Sequence, residues 1–463
     1  MPINSFDDYP MTWKPCILKC GTIPLHIEIA EKLEHDIRGG IIRPSTKLPP
    51  QRELADYLDV NLSTITKAFK LCAAKGLISG EVGRGTYVSA DVLSNLPLLD
   101  ETGLEHCINL GASHPIYSQN HYVGDTLRQL LKRTNSIDNI FEYSGIADRK
   151  THRHAGAVWL QKFGVQAAED QILLTCGLQN ALAVTLASLF QYGDKIATNE
   201  VIYPGIKNIA NNLGIQLIPI PYVDQQLNLR SLEQICKHDS IRGIYLIPDH
   251  HNPTSLCMDQ NERVSIAEVV RKYQLICIED STYSFLNERV NTPITALIPE
   301  QSVYIASVSN SLSPGFRIAF VYASAQYIEQ MLIGNSNINV MAPPLEAEIV
   351  STLILCGDAD KIIEEKKSEL RERNRIVDQY FRRYHIYGND VAQFRWLILP
   401  SKWTSHKFEQ AAKARGVQVF GSERFAVGKY AIRPAARLAI STPKNLELLE
   451  RGTEILERLL LEF

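Results

Sequence analysis

The chain has no C-x-x-C pair, no run of about eighteen apolar residues of the kind that spans a bilayer, and no large surplus of either charge. Each absence excludes something. Nine cysteines are scattered over 463 residues. Cys16 and Cys20 lie four apart, but no His or Cys cluster follows to complete a zinc site. The cysteines therefore read as reduced thiols of a cytoplasmic protein, and no metal site is expected. No membrane span is expected either. The opening M-P-I-N-S-F-D-D-Y-P has neither a basic start nor an apolar stretch, so it does not read as a signal peptide. A net charge of −3 argues against a protein that coats nucleic acid generally, while leaving room for a local binding face. A hydrophobic fraction of 45% with 8% aromatics suits ordinary globular cores, and the length allows two or three domains.

Helical spacing appears early. Leu25, Ile29, Leu33 and Ile37 recur between charges over Pro24 to Arg38, and Gly39-Gly40 ends that helix. In K-L-P-P-Q-R-E-L-A-D-Y-L-D-V the residues Leu54, Ala55 and Leu58 form the stripe of a second short helix. A tight turn at Asp59-Val60-Asn61 leads to a third helix, with Asn61 as N-cap and Gly76 as terminator. L-I-S-G-E-V-G-R-G-T-Y-V-S then reads as strand, glycine turn and strand, a wing with Arg84 at its tip. Two short helices joined by a tight turn form a helix-turn-helix, whose third helix enters the major groove N-terminus first. Ser63, Thr64, Thr66 and Lys67 lead that helix, and Arg52 opens the one before it. These residues suit phosphates and base edges. From Arg43 to Gly85 seven basic residues face four acidic ones, a local net of +3 in a chain of −3. By charge alone this could be a solvated face; the helix-turn-helix and wing favour double-stranded DNA as partner.

The segment resembles the GntR family of bacterial winged-helix repressors. The family pattern P-L-Y, L-P-S-x-R-E-L-A, V-x-R-x-T-V-x-x-A-Y, G-x-G-T-F-V is met here by P-L-H, L-P-P-Q-R-E-L-A, V-N-L-S-T-I-T-K-A-F and G-R-G-T-Y-V. Leu62 stands where many members place an arginine. The backbone contact made there is expected to be lost or moved to Lys67.

The expected organisation is an N-terminal arm over 1–20, the winged helix-turn-helix over 21–90, a linker over 91–107 without convincing periodicity, and a large domain over 108–463. In the large domain, β-rich runs such as D-K-I-A-T, I-R-G-I-Y-L-I-P, Q-L-I-C-I-E-D and S-V-Y-I-A-S alternate with amphipathic helices. That alternation predicts an α/β architecture with a mostly parallel sheet, whose ligands bind at the carboxyl ends of the strands.

Several candidate residues fall at those ends. Gly177 after I-L-L-T lets the chain approach a phosphate, and the amides of Leu178 and Gln179 open a helix aimed at it. An ordinary strand-to-helix turn reads the same way. Tyr203 could stack on a ring or be structural. Asn252 follows a strand in I-P-D-H-H-N-P-T-S and could donate to a phenolate oxygen. Asp280 and Tyr283 form a D-x-x-Y pair, and a buried carboxylate there would hold a pyridine nitrogen protonated. Ser307, Ser309 and Arg317 supply phosphate donors.

In this order the segments resemble fold-type I aminotransferases. Joined to a GntR head, they resemble the MocR subfamily of GntR regulators. The resemblance implies a winged helix-turn-helix plus a pyridoxal-phosphate-dependent aminotransferase fold-type I domain. It implies a phosphate cup of Gly177, Leu178, Gln179, Ser307, Ser309 and Arg317, with Tyr203 stacked on the ring. Asn252 and Tyr283 would meet the ring hydroxyl, and Asp280 the pyridine nitrogen. Arg437, in A-A-R-L-A-I-S, would grip an effector carboxylate; as an arginine on a strand it could also be structural. Two departures stand out. Asn310, in S-V-S-N-S-L-S-P-G-F-R, occupies the position of the lysine that forms the imine, and Val391-Ala392 replaces a Gly-Gly pair ahead of F-R-W-L-I-L-P. An amide nitrogen is not nucleophilic, so no catalytic residue is assigned and pyridoxal 5′-phosphate is expected to bind without a covalent bond. The leading reading is a homodimeric DNA-binding regulator that senses this cofactor or a related small-molecule effector. The alternatives are an active aminotransferase, disfavoured by the missing lysine, and a regulator whose large domain is a cofactor-free dimerisation scaffold.

Overall fold

The computed structural model describes residues 11–17, 23–38, 41–42, 46–75, 77–81, 85–89, 107–133, 137–143, 145, 148–428 and 432–462. Arg84, expected at the wing tip, Gly39-Gly40 and Gly76, expected to end helices, and 91–106, most of the expected linker, lie outside the described residues. Contacts divide the chain into one unit of residues 1–97 with 423–433 and a second of 98–422 with 434–463.

In the first unit, α1 (Leu25–Arg38), α2 (Gln51–Leu58) and α3 (Leu62–Ala74) are followed by β1 (Ile78–Glu81) and β2 (Gly85–Val88), which pair antiparallel with Ile78 opposite Val88. The apolar spacing explains the packing. Ile29, Leu33 and Ile37 of α1, Leu54 of α2, and Ile65 and Phe69 of α3 close on one core. Asp59, left-handed at φ 50°, ends α2 and turns the chain into α3. Asn61 is extended at the N-cap of α3, but its side chain makes no capping bond. Its carbonyl instead accepts the Thr64 amide at 2.9 Å.

Part of the expected arm belongs to this core. Trp13 is 3% exposed, and its indole donates to Asp36 Oδ2 at 3.0 Å. Lys32 holds the other carboxylate oxygen at 2.8 Å. Trp13→Ala is expected to cost about 3–5 kcal/mol, the range for deleting a buried large aromatic. Hydrogen exchange over residues 25–38 in the full chain checks this, as unfolding there becomes easier by that amount.

The second unit contains β3 (Ile108–Asn109), β4 (Ile172–Thr175), β5 (Lys195–Asn199), β6 (Gln216–Ile220), β7 (Ile241–Leu246), β8 (Ile276–Asp280), β9 (Ser302–Ser307) and β10 (Ala319–Ala323). Seven of these form a sheet in the order β4-β10-β9-β8-β7-β5-β6. Only β10 runs antiparallel to its neighbours, so the carboxyl ends of β4, β5, β7, β8 and β9 share one edge. Strands buried on both faces read as continuous apolar runs, which is why the alternation was visible in the sequence. Helices α4 (Leu178–Leu189) and α5 (Pro204–Asn212) start from that edge.

Further on lie α6 (Asp358–Phe381), β11 (Ile386–Tyr387), β12 (Arg395–Ile398), β13 (Val417–Gln418), β14 (Phe420–Gly421), β15 (Ala435–Leu438) and α7 (Leu446–Leu461). They build a four-stranded antiparallel sheet, β11-β12-β15-β14, and β13 pairs with β3. Leu110, Phe381, Phe408, Leu438 and Leu456 fill the core beneath. No helix among the described residues is long and apolar enough to cross a membrane.

Candidate functional site

The winged-helix unit presents its sequence-predicted residues unevenly. Arg52, Ser63 and Lys67 are exposed, and Thr64 and Thr66 are half-buried. The Thr66 hydroxyl already donates to Gln51 Oε1 at 2.8 Å, so Thr66 ties α3 to α2 and is not a free donor for a phosphate. Leu62 is 42% exposed at the start of the helix that would enter the groove. Arg52→Ala and Lys67→Ala are each expected to weaken operator binding evenly across sequences and to lower the slope of log K against log salt by about one. Titrations of the full chain over a salt series check this.

In the second unit, the strand ends bring the expected cofactor residues together. Asp280 closes β8 and is 1% exposed. Its Oδ2 accepts the Tyr245 hydroxyl at 2.8 Å, and its Oδ1 accepts the Thr282 amide at 3.0 Å and hydroxyl at 2.6 Å. Tyr245 lies opposite Ile278 across the parallel pair, which puts it on the same face as Asp280. No cationic side chain pairs with Asp280 among the described residues. Burial pushes its carboxyl above the usual range, and the donors from Thr282 and Tyr245 only partly offset this. A protonated ring nitrogen placed against Asp280 would supply the charge that this carboxylate lacks.

At the outer edge, Ser307 ends β9 and donates to Ser309 Oγ at 3.2 Å. Arg317 donates to Ser309 Oγ through Nη1 and to the Cys176 carbonyl through Nη2, each at 3.3 Å. Gly177 caps α4 at φ 80°, and a Cβ built there would lie 2.6 Å from Arg317 Nη2. Glycine is therefore favoured by the backbone angle, and a Cβ there would push the Arg317 guanidinium aside. The first-turn amides of α4, at Leu178 and Gln179, have no acceptor within the helix. Together these groups form a cradle of N–H, O–H and guanidinium donors that suits a phosphate. Gln179 also donates to the Tyr203 hydroxyl at 3.0 Å, fixing the ring that precedes α5.

Asn252 links two further members. Its Nδ2 donates to the Tyr283 hydroxyl at 3.3 Å, and its Oδ1 accepts Arg437 Nη1 at 2.9 Å. Burial pushes the Tyr283 hydroxyl up to about 12, opposed by the Arg437 charge and by hydrogen bonds from Asn252 and Asn310. Asn310 thus joins the cluster through its side chain. Arg437 is 5% exposed on β15, and Nη2 donates to Gly111 O at 2.6 Å. Its guanidinium lies 5.6 Å from the Phe394 ring and 5.8 Å from the Phe420 ring, Phe420 being its direct partner across β14 and β15.

Lys366 of α6 was not singled out from the sequence. It is 1% exposed, and its Nζ donates to Asn310 O at 3.1 Å and Leu312 O at 2.8 Å. Burial pushes its amine down to about 7. Tyr245, Phe394 and Phe420 also went unmarked. Val391 and Ala392 are buried, with Asn374 donating to the Ala392 carbonyl at 3.0 Å.

A winged helix-turn-helix joined to this sheet defines a class of transcriptional regulators that carry an aminotransferase-like domain. The chain belongs to that family. Residues 25–88 match the bacterial regulatory proteins of the gntR family, and residues 105–451 match aminotransferase class I and II. The chain is 42% identical over 460 residues to the HTH-type transcriptional regulator YdeF of Bacillus subtilis (strain 168), covering 99% of both. It is 26% identical over 298 residues to the vitamin B6 salvage pathway transcriptional repressor PtsJ of Salmonella typhimurium, covering 64% of this chain and 66% of that one. Among solved structures, a Pyrococcus horikoshii kynurenine aminotransferase in complex with PMP matches with a TM-score of 0.72 at 21% identity, over 77% of this chain and 91% of that one. The fold is therefore the expected one: an N-terminal winged helix-turn-helix and a fold-type I aminotransferase domain.

Proposed function

We propose that this regulator binds pyridoxal 5′-phosphate non-covalently in its aminotransferase-like unit and couples occupancy of that pocket to operator binding. The observation that carries the reading is Asp280, a buried carboxylate held by neutral donors with no cationic partner among the described residues. When bound, the cofactor supplies an electron-withdrawing pyridinium ring and an aldehyde. Arg317, Ser307, Ser309, Gly177, Leu178 and Gln179 hold its phosphate, Tyr203 stacks on its ring, and Asn252 and Tyr283 meet its hydroxyl. Asn310, in the place of the amine, orients the Tyr283 hydroxyl and attacks nothing. Arg437 takes the carboxylate of a small effector. The protein acts in the cytoplasm as a homodimer, the usual assembly of this fold.

Thermal denaturation of the full chain tests the reading. Pyridoxal phosphate at a hundred times Kd is expected to stabilise the fold by about 2.7 kcal/mol. Arg317→Ala is expected to remove most of that shift, and Arg437→Ala to retain most of it while losing the response to amino-acid effectors. No shift at saturating cofactor leaves the unit as a dimerisation scaffold.

A further inference from the structure

The second unit holds a cavity of about 920 Å³ that Asp280, Asn252, Arg317 and Arg437 do not line. It lies against β3, α6 and α7, and its walls carry Arg373, Arg415, Lys444 and Arg451 but no aspartate or glutamate. Four cations around one concavity repel each other, and among the described residues only Arg415 has an ion-pair partner, Glu462. Lys444 and Arg451 are exposed and make no ion pair among the described residues.

Arg373 is the informative member. It is 6% exposed, and Nη1 donates to Ile440 O at 3.0 Å and Pro443 O at 2.9 Å. Its Nε has no acceptor among the described residues. Glu369 and Glu372 lie close enough to act on its charge, yet no carboxylate pairs with it among the described residues. Burial pushes its guanidinium down and the two glutamates only partly offset this, so a buried charge without a direct ion pair remains at the cavity wall. A purely structural arginine clamping two carbonyls would not need three more cations around the same hollow.

A strap of backbone separates this cavity from Arg437. Gly111 O accepts Arg437 Nη2, whereas Thr442 Oγ1 donates to Ala112 O at 2.7 Å and accepts the His114 amide at 3.0 Å. Asn109, His114 and Thr442 line the cavity.

We infer that this cavity is a second ligand site, for a small polyanion bearing at least two negative charges on phosphate or carboxylate groups. Arg373 grips one anionic group at the floor, and Lys444 and Arg451 meet another at the rim. The volume lies within the range of about 300–1,000 Å³ typical of small-molecule pockets. The depth of Arg373 favours a molecule that enters the cavity over a duplex backbone, which would meet only the rim.

Calorimetric titration of the full chain, saturated with pyridoxal phosphate, tests this with inorganic pyrophosphate and citrate as probes. At least one probe is expected to bind saturably, one per chain. The rim variant Lys444→Glu/Arg451→Glu, which alters only exposed side chains, is expected to weaken that binding at least tenfold with an unchanged melting temperature. Arg317→Ala should leave it intact, because the phosphate cup is a different site. Whichever probe binds identifies the anionic group. The inference is overturned if neither probe binds, if the rim variant binds equally well, or if Arg317→Ala abolishes binding. If neither probe binds and the rim variant instead weakens operator affinity, the cations contact DNA and the small-anion site is wrong.

Discussion

Asn310→Lys, saturated with pyridoxal phosphate, is expected to show a visible absorption band absent from the wild type. Borohydride should then fix the cofactor to position 310, as peptide mapping will show. The surroundings favour reaction once an amine is supplied. Asn310 already reaches Tyr283, within the cluster that holds Asp280 and Arg437. Lys366 lies behind the same loop, bonded to the Asn310 carbonyl. Where Lys366 is protonated, it is a second cation close by that lowers the pKa of a new lysine and increases its free-amine fraction. In the wild type no adduct is expected at position 310. An adduct at Lys366 would mean that a lysine from α6 replaces the missing one, and the non-covalent reading would fail. If Asn310→Lys folds and binds the cofactor yet forms no adduct, residue 310 is not the anchor position.

Asp280→Asn is expected to weaken pyridoxal phosphate binding about a hundredfold, roughly 2.7 kcal/mol, while leaving the cofactor-free protein as stable as wild type or more so. The neutral donors explain the second half. Asn Oδ1 can keep both bonds from Thr282, and the Tyr245 hydroxyl can turn to accept from Nδ2. The pH dependence follows from burial, which raises the folded-state pKa of Asp280 above its unfolded value. Between those two values the unfolded chain is ionised and the folded one is not. Cofactor-free wild type therefore loses stability as pH rises from the unfolded value through the folded one, and Asp280→Asn should lack that component. Melting temperatures across pH, with and without cofactor, check both halves. Equal cofactor shifts in the two proteins would remove Asp280 from the site.

Much of this was legible in the sequence, for identifiable reasons. The winged-helix unit is short-range: its stripes, turn and wing lie within about seventy residues, and local spacing records them. The β-strands were visible because burial on both faces requires unbroken apolar runs. The pocket residues were visible because they follow those runs directly. What stayed hidden was set by contacts distant in sequence. Tyr245 reaches Asp280 through the register of two parallel strands. Lys366 meets the Asn310 loop from a helix more than fifty residues on. Trp13 looked like part of an arm because a single aromatic has no periodicity. Thr66 read as a DNA contact because nothing local reveals that Gln51 Oε1 accepts its hydroxyl hydrogen bond. The cations of the second cavity are spread from Arg373 to Arg451, and only the fold gathers them.

Asn252 uses one amide for two neighbours, accepting from Arg437 and donating to Tyr283. A carboxylate that draws the guanidinium away from Oδ1 changes what the same amide can offer the phenol, and a ring hydroxyl that captures Nδ2 changes what remains for the arginine. Two ligands meeting at such a relay cannot bind as strangers. Each alters the dissociation constant of the other by the same factor, whichever arrives first. A regulator with two ligands at this relay would respond to each according to the occupancy of the other.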